Sequence, residues 1–252
     1  MTAVAPINPA NDTRPVFDPR RDALFLDLDG TLAPLAPRPQ DVKADPGRNR
    51  LLADLTRRLD GRVAVVSGRT IEDIDRILSG AVAAVAGVHG LALRFADGRS
   101  STPPPHPGLA AARSGLQAFA AGRPALLVED KGVSIALHFR AQPALEGEGV
   151  ALAVRLAEET GLAVQKGAAV IELRTPGANK GDAIAALLAQ PPFAGRRPVF
   201  AGDDLTDEDA FTFVERAGGT GVLVGPPRPT AASRRLPDVA AVLAWLEEIA
   251  CA

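Results

Sequence analysis

The chain has 252 residues, of which 46% are hydrophobic, and its formal net charge at pH 7 is −2. That length and apolar content allow a large buried core, in one elaborated domain or in two smaller ones. The small net charge excludes a global basic field that would hold nucleic acid or an anionic membrane, so an anionic ligand needs a local site.

The cysteine content and the N-terminal residues favour a cytoplasmic protein. The single cysteine, Cys251, excludes an internal disulfide framework and a cysteine-based zinc site. Residues 1–21 contain prolines and charges where a signal peptide would need an apolar segment, and we interpret them as a loose leader. Since no uninterrupted apolar stretch reaches membrane-spanning length, we expect a cytoplasmic protein that binds neither nucleic acid nor membrane.

From residue 22 onward, short apolar runs alternate with segments of helical periodicity, which is typical of a parallel sheet flanked by helices. The first run, ALFLDLD at 23–29, is followed by the proline-rich APLAPRPQ, so its Asp-Gly does not close a hairpin. The next predicted elements are a helix at 46–59, a strand at 62–68, a helix that begins with a Thr70/Asp73 capping box, and a strand at 81–87.

A proline-rich segment, STPPPHPG at 101–108, interrupts this alternation as a linker would. Beyond it the patterns predict a helix at 109–122, strands at 124–130 and 132–140, a helix at 149–161, and strands at 162–167 and 168–174. This αββαββ order with short hairpin connections predicts an antiparallel sheet covered by helices on one face. We interpret residues 108–175 as a smaller domain inserted into the first.

The parallel pattern returns after residue 175. It predicts a helix at 179–190, a strand at 198–204, a helix at 206–218, a strand at 221–225 and a closing helix at 239–250. The predicted fold class is therefore α/β: a Rossmann-like, doubly wound parallel core made of residues 22–107 and 176–252, with an inserted α+β domain.

Polar residues stand at the ends of three predicted core strands. Asp27 and Asp29 end the first strand, Ser67 ends the second, and Asp203 and Asp204 end the strand at 198–204. Each motif alone is more simply a turn or a helix cap. Because ligands of open parallel sheets bind beyond the carboxyl ends of the strands, their joint occurrence predicts one shared crevice with several carboxylates.

The arrangement resembles the haloacid dehalogenase superfamily of phosphatases. The matching residues are DLDGT at 27–31, Ser67, Lys180 and Gly202-Asp203-Asp204. The resemblance implies that the insert is the superfamily's larger type of mobile cap. It also implies phosphoryl transfer to Asp27, which gives an aspartyl-phosphate that water then hydrolyses.

The resemblance also implies roles for the other polar residues. Asp29 would protonate the leaving alkoxide and later accept a proton from the attacking water, while Lys180 and Ser67 would share the phosphoryl charge. Further substrate contacts are implied for Gly30, Thr31 and Arg69.

A magnesium ion would explain why mutually repelling carboxylates stand side by side. The hard oxygen donors predict Mg²⁺ in octahedral coordination. By resemblance its ligands are a side-chain oxygen of Asp27, the backbone carbonyl of Asp29 and the carboxylate of Asp203, with Asp204 in the outer shell.

Longer strings narrow the resemblance to the trehalose-6-phosphate phosphatase family. They are VEDKGVSIALHFR at 128–140, VIELRTPGANKGDAI at 170–184, GDDLTDEDAF at 202–211 and GVHG at 87–90. Many family members have an acid after the last motif, where this chain has Leu91. The resemblance implies Mg²⁺-dependent hydrolysis of a small-molecule substrate, trehalose 6-phosphate, by a monomer that is functionally linked to a trehalose-phosphate synthase.

In that family, residues matching Glu129, Lys131 and Glu172 hold the sugar hydroxyls. Carboxylates and an ammonium group suit a neutral, hydroxyl-rich disaccharide, and such sites discriminate strongly against analogues that lack the hydroxyls. Without the family resemblance, an ordinary surface ion pair would be the simpler interpretation of Glu129 and Lys131.

Two alternative functions stay open at this point. One is another capped sugar-phosphate phosphatase, which would act on sucrose-phosphate or a hexose phosphate. The other is a catalytically silent regulatory domain that binds a sugar phosphate as a sensor. The presence of Asp27, Asp29, Lys180 and Asp203 argues against the second.

Overall fold

The computed structural model of the protein describes residues 14–251, which form two compact units. The first unit comprises the described residues up to Ala36, Gln40–Ser101, and the described residues from Ala178 onward. The second unit comprises Thr102–Gly177 and Pro37–Pro39. It contains the predicted insert together with a few residues on each side of it.

The described part of the chain contains twelve strands and seven α-helices. The strands are β1 (Asp22–Leu26), β2 (Val63–Val66), β3 (Ala84–Gly87), β4 (Ala92–Arg94), β5 (Ser100–Ser101), β6 (Leu127–Asp130), β7 (Ser134–His138), β8 (Ala163–Gly167), β9 (Val170–Arg174), β10 (Arg197–Gly202), β11 (Thr220–Val224) and β12 (Arg234–Leu236). The helices are α1 (Pro46–Arg58), α2 (Ile71–Leu78), α3 (Leu109–Ala120), α4 (Glu146–Thr160), α5 (Lys180–Leu188), α6 (Glu208–Arg216) and α7 (Val239–Cys251). None of these helices combines the length and apolar character that crossing a membrane requires.

The sheet of the first unit has the strand order β12-β11-β10-β1-β2-β3-β4-β5. The strands from β12 to β3 are parallel, while β4 and β5 extend the sheet in the antiparallel sense. The chain runs outward from β1 to β3 and later resumes on the other side of β1 with β10. This is the doubly wound topology, and its switch point lies between β1 and β10. The predicted fold class is confirmed.

Helices cover both faces of this sheet. Leu24 and Leu26 of β1 pack with buried residues of α1, α2 and α7, whereas Ala23 and Phe25 pack with buried residues of α5 and α6. Strands that are buried on both faces give continuous apolar runs, which is why the sequence predicts them well. This packing holds β1 and β10 in place, and with them the residues that follow their carboxyl ends.

The second unit is an antiparallel sheet with the order β6-β7-β9-β8. Ile135 and Leu137 of β7 pack with buried residues of α3 and α4. Successive strand residues point to opposite faces, so Ala136 and its register partner Glu172 belong to the face without helices. The predicted αββαββ order is confirmed.

The end of the predicted leader contacts the last helix, and the core sheet has three short strands that the sequence patterns do not predict. Residues 1–13 of the predicted leader lie outside the described residues, and two residues of its remaining part, Pro15 and Phe17, contact α7. Trp245 Nε1 of α7 donates a 3.1 Å hydrogen bond to the Pro15 carbonyl, and the Phe17 ring meets the indole edge-on. β4, β5 and β12 have no predicted counterpart, because two or three residues are too few to show a strand pattern.

Side chains cap the N-termini of two core helices, α2 and α5, which begin next to predicted site residues in the sequence. Thr70 Oγ1 accepts a hydrogen bond from the Asp73 amide at 3.2 Å at the start of α2. At the start of α5, Asn179 Oδ1 accepts a bond from the Asp182 amide at 2.9 Å, and the Asp182 carboxylate accepts one from the Asn179 amide at 3.0 Å. This complete capping box makes Lys180 the first residue of α5.

Asn179→Ala should lower the free energy of unfolding by about 1 kcal/mol, because the Asp182 amide loses its acceptor. Urea unfolding followed by circular dichroism measures this change. Glu247→Ala, at an exposed position of α7, is the control and should stay within about 0.5 kcal/mol of the wild type. A urea midpoint for Asn179→Ala equal to that of the wild type would contradict the capping role.

Candidate active site

Acidic residues cluster where β1 and β10 end side by side. Asp27 follows β1 directly, Asp203 follows β10, and Asp207, four residues after Asp203, ends a short 3-10 helix. One carboxylate oxygen from each of the three lies within 4.8 Å of the other two. Carboxylates at this separation repel one another, so the arrangement requires nearby positive charge.

Lys180 supplies part of that positive charge from the first position of α5. Its Nζ donates a hydrogen bond to Asp207 Oδ1 at 2.6 Å and lies 3.1 Å from Asp27 Oδ1. The side chains of Lys180, Asp27 and Asp207 are 2%, 6% and 0% exposed. Removing Lys180 would leave two buried carboxylates without their counter-charge, which is strongly destabilising.

Burial and neighbouring charges shift the pKa values of these groups. Burial raises the pKa of Asp27 well above its ordinary value, and the Asp207, Asp203 and Asp29 carboxylates add to the rise, while Lys180 opposes it. Burial acts to lower the pKa of Lys180, but the Asp207 and Asp27 carboxylates outweigh it and raise that pKa. Burial, followed by the Asp207 charge, raises the pKa of Asp203 to about 7. The three carboxylates together therefore carry more negative charge than the single Lys180 ammonium group can neutralise.

Asp203 provides an oxygen that the described residues do not satisfy. Its Oδ1 is buried and has no hydrogen-bond partner among them. Gly30 makes room for this carboxylate: its φ is +78°, and a Cβ there would lie well inside 3.0 Å of Asp203 Oδ2. A buried carboxylate oxygen without a partner, beside two further carboxylates, is a donor set that suits a hard divalent cation. The residues present therefore fit Mg²⁺.

Asp29 and Arg69 form a further ion pair in the first unit. Arg69 Nε lies 2.6 Å from Asp29 Oδ2, and Arg69 Nη2 lies 2.8 Å from Asp29 Oδ1. The two residues follow β1 and β2, which are neighbours in the sheet. Such a bidentate pair fixes the orientation of the carboxylate as well as its distance. The structure thus joins the predicted acid/base to a predicted substrate ligand.

The two predicted hydroxyl groups are also buried in the first unit. Ser67 Oγ accepts a hydrogen bond from the Arg69 amide at 3.3 Å. Thr31 Oγ1 is buried and has no hydrogen-bond partner among the described residues. A buried hydroxyl without a partner is costly, so Thr31 is ready to bond to a ligand oxygen.

The segment after β3 has a strained backbone and is hydrogen-bonded to the loop that carries Ser67 and Arg69. Val88, His89 and Gly90 all have positive φ values, of 47°, 54° and 99°. This region is unfavourable for a β-branched residue such as valine. The amides of Val88 and His89 donate to the carbonyls of Arg69 and Ser67 at 2.8 and 3.0 Å. The GVHG segment therefore fixes the position of that loop.

Asp207 is the site residue that the sequence analysis does not assign. The side chain of Asp204 accepts a bond from the Leu205 amide at 2.7 Å, and the third carboxylate of the cluster is Asp207 instead. Asp207 Oδ2 accepts a bond from the Asp204 amide at 2.9 Å, so this reciprocal cap directs the Asp207 carboxylate toward Lys180. The sequence signal that could have identified Asp207 is the spacing of acids in GDDLTD at 202–207. A metal role for Asp204 stays a prediction.

In the second unit, the three predicted sugar ligands form one ion pair with each other and one hydrogen-bonding contact with a histidine. Lys131 Nζ donates to Glu172 Oε2 at 2.8 Å, and both side chains are buried. Glu129 Oε2 lies 2.7 Å from His138 Nε2. Burial acts to raise the pKa of Glu129, but the His138 hydrogen bond and the Lys131 charge outweigh it and lower that pKa. Each carboxylate therefore has its own cationic or hydrogen-bonding partner.

The fold and the site together define a haloacid dehalogenase-type phosphatase, and comparison with known proteins gives its family. A trehalose-phosphatase family model matches residues 25–240. The trehalose-6-phosphate phosphatase of Escherichia coli K12 is 40% identical over 234 residues, which cover 91% of this chain and 87% of that protein. A probable trehalose-phosphate phosphatase of Sinorhizobium fredii is 40% identical over 209 residues, or 82% and 79% of the two chains.

Solved structures agree with this similarity. A crystal structure of a trehalose-6-phosphate phosphatase related protein has a TM-score of 0.77 and 26% identity, and the match covers 91% of this chain and 97% of that one. The C-terminal domain of the Candida albicans trehalose-6-phosphate phosphatase shares the fold, with a TM-score of 0.81, 23% identity, and coverage of 92% and 93%. The chain belongs to the trehalose-phosphatase family of phosphomonoester hydrolases.

Gly30→Ala should destabilise the protein more than Gly98→Ala does. Both glycines have similar positive φ values, of +78° and +86°, but an added Cβ meets Asp203 only at Gly30, since Gly98 has open space. Each variant should lose about 1–2 kcal/mol of unfolding free energy to the left-handed backbone. Gly30→Ala should lose a further ~1–3 kcal/mol to overpacking. Equal losses in urea unfolding would contradict the close packing of Asp203 on Gly30.

Proposed function

We propose that the protein is a Mg²⁺-dependent phosphatase that hydrolyses trehalose 6-phosphate to trehalose and inorganic phosphate through an aspartyl-phosphate. The observation that carries this proposal is the buried group in which Lys180 bridges Asp27 and Asp207, beside the unsatisfied Asp203 oxygen. Membership of the trehalose-phosphatase family supports the substrate, because both relatives at 40% identity are named for trehalose phosphate.

Asp27 is the proposed nucleophile. Its carboxylate oxygen attacks phosphorus, and the bond between phosphorus and the sugar oxygen breaks. Water then hydrolyses the aspartyl-phosphate, which releases phosphate and restores the carboxylate. The close Lys180 ammonium favours the ionised carboxylate that this attack requires, against the effect of burial.

Asp29 is the proposed general acid and base. It would give a proton to the leaving sugar oxygen in the first step and take one from the attacking water in the second. Arg69 orients this carboxylate through its bidentate pair. A substrate phosphate would compete for the same guanidinium, since Arg69 is also a proposed substrate ligand, and the competition would release Asp29 for proton transfer.

Positive charge and hydrogen-bond donors would stabilise the phosphoryl group during transfer. We assign this role to Lys180, to the Ser67 and Thr31 hydroxyls and to backbone N–H groups around Gly30. Asp207 would hold Lys180 in place through their 2.6 Å hydrogen bond. Mg²⁺, held by Asp27, Asp203 and the Asp29 carbonyl with Asp204 nearby, would supply further positive charge to the phosphoryl oxygens.

The second unit is the proposed source of sugar specificity and corresponds to the cap of the superfamily. Glu129, Lys131 and Glu172 would bind the sugar hydroxyls, because carboxylates accept hydrogen bonds from hydroxyls and an ammonium donates to them. A site of this kind rejects esters that lack the matching hydroxyls. We further propose that the protein acts as a monomer in the cytoplasm, on the product of a trehalose-phosphate synthase.

Release of inorganic phosphate tests the reaction and the substrate. With Mg²⁺ present, we expect turnover of trehalose 6-phosphate, and little or none of sucrose 6-phosphate or glucose 6-phosphate. A chelator or Asp27→Asn should abolish release, with Asp27→Asn still folded by circular dichroism. A preference for another ester would contradict the cap assignment, and absence of turnover would favour a sugar-phosphate sensor.

Thermal and urea unfolding with added Mg²⁺ tests the metal site without an activity assay. At about 100 times its dissociation constant, a ligand that binds only the folded state stabilises it by about 2.7 kcal/mol. We expect this gain for the wild type and its loss in Asp203→Asn, which removes a proposed ligand charge. Asp204→Asn should retain most of the gain. An equal gain in wild type and Asp203→Asn would contradict the proposed ligand set.

A further inference from the structure

We propose that His138 is a positioning residue that holds Glu129 in its sugar-binding orientation and so sets the affinity for the sugar part of the substrate. This inference rests on the proposed role of Glu129. No motif or resemblance assigns a function to His138, and its place in the sheet is what identifies it.

The strand register brings the two side chains together on one face. His138 of β7 is the register partner of Leu127 of β6, and Glu129 lies two residues further along β6. Side chains at diagonal positions two residues apart in an antiparallel pair lie on the same face within reach of each other. The 2.7 Å separation between His138 Nε2 and Glu129 Oε2 follows from this register.

The pair is partly shielded from water, with 19% of the His138 side chain and 21% of the Glu129 side chain exposed. Hydrogen bonds to a charged group are stronger than neutral ones, and partial burial reduces their screening. Glutamate has several freely rotating bonds, so an unheld carboxylate would lose rotamer freedom on binding a sugar. His138 removes that freedom before the sugar arrives.

A second pair on the same sheet, Lys131 and Glu172, resembles the pair of His138 and Glu129. Glu129 and Glu172 are both register partners of Ala136, one on each side of β7. Their backbones are therefore about 10 Å apart, two strand spacings, with a small side chain between them. Lys131 holds Glu172 as His138 holds Glu129. The two proposed sugar carboxylates thus each have a partner that fixes them.

The hydrophobic core of the unit does not depend on His138. That core lies on the other face, where Ile135, Leu137, Ile171 and Leu173 pack with α3 and α4. Replacing His138 should therefore leave the unit folded and change the orientation of Glu129. A purely structural histidine would instead affect unfolding and every substrate alike.

Steady-state kinetics of His138→Leu and His138→Gln, with trehalose 6-phosphate and p-nitrophenyl phosphate, tests this role. In His138→Leu we expect KM for trehalose 6-phosphate to rise about tenfold, as the loss of one charged hydrogen bond predicts, while kcat changes less than about twofold. The parameters for p-nitrophenyl phosphate, which has no sugar, should not change. His138→Gln keeps a donor near Nε2 and should restore KM to within about threefold.

Two further variants complete the test. Lys166→Gln is the matched control: it removes a positive charge from the same sheet, but the exposed Lys166 side chain faces the other side and pairs with Glu146. It should leave all parameters unchanged. Glu129→Gln combined with His138→Leu should be no worse than Glu129→Gln alone, because His138 acts through Glu129.

The outcomes separate this inference from the proposed function. An unchanged KM in His138→Leu, with wild type active on trehalose 6-phosphate, overturns the positioning role alone. An equal loss with p-nitrophenyl phosphate, or a large drop in melting temperature, shows a structural histidine and also overturns it. A wild type that hydrolyses p-nitrophenyl phosphate but not trehalose 6-phosphate overturns the proposed function and this inference with it.

Discussion

The repulsion among carboxylates at the switch point of the core sheet is the constraint on which the rest of the site depends. β1 and β10 are neighbours and each is followed directly by an aspartate, so Asp27 and Asp203 meet wherever this sheet forms. A cation at a helix N-terminus is unfavourable to the helix dipole. Lys180 nevertheless stands there, because its two carboxylate contacts, at 2.6 and 3.1 Å, outweigh that cost.

The local backbone is adapted to hold this charged group in place. Gly30 admits the Asp203 carboxylate at a distance that any side chain would prevent, and the caps of α5 and of the turn after β10 fix Lys180 and Asp207. Strain at Val88 is balanced by its hydrogen bond to the Arg69 carbonyl. Strained residues persist only where surrounding contacts enforce them, and here those contacts lead to the loop after β2.

The two units use their sheets differently. The core sheet buries both faces under helices, so its chemistry is confined to strand ends. The sheet of the second unit has helices on one face only, and its other face carries the pairs Lys131–Glu172 and Glu129–His138. A sheet face that is not used for the core can carry polar side chains at regular spacing, which suits recognition of a ligand with many hydroxyls.

The sequence by itself determined the element order, the doubly wound core, the αββαββ insert and the placement of Asp27, Ser67 and Asp203 at strand ends. These features depend on local apolar periodicity and turn residues, which can be read within a short window. Only the tertiary structure decided the pairings. It placed Asp207 in the acidic cluster, joined Arg69 to Asp29, brought Pro15 and Phe17 into contact with Trp245, and set His138 beside Glu129. The physical reason is that strand register and the burial of charge determine which side chains pair. Both bring together residues that no local pattern connects.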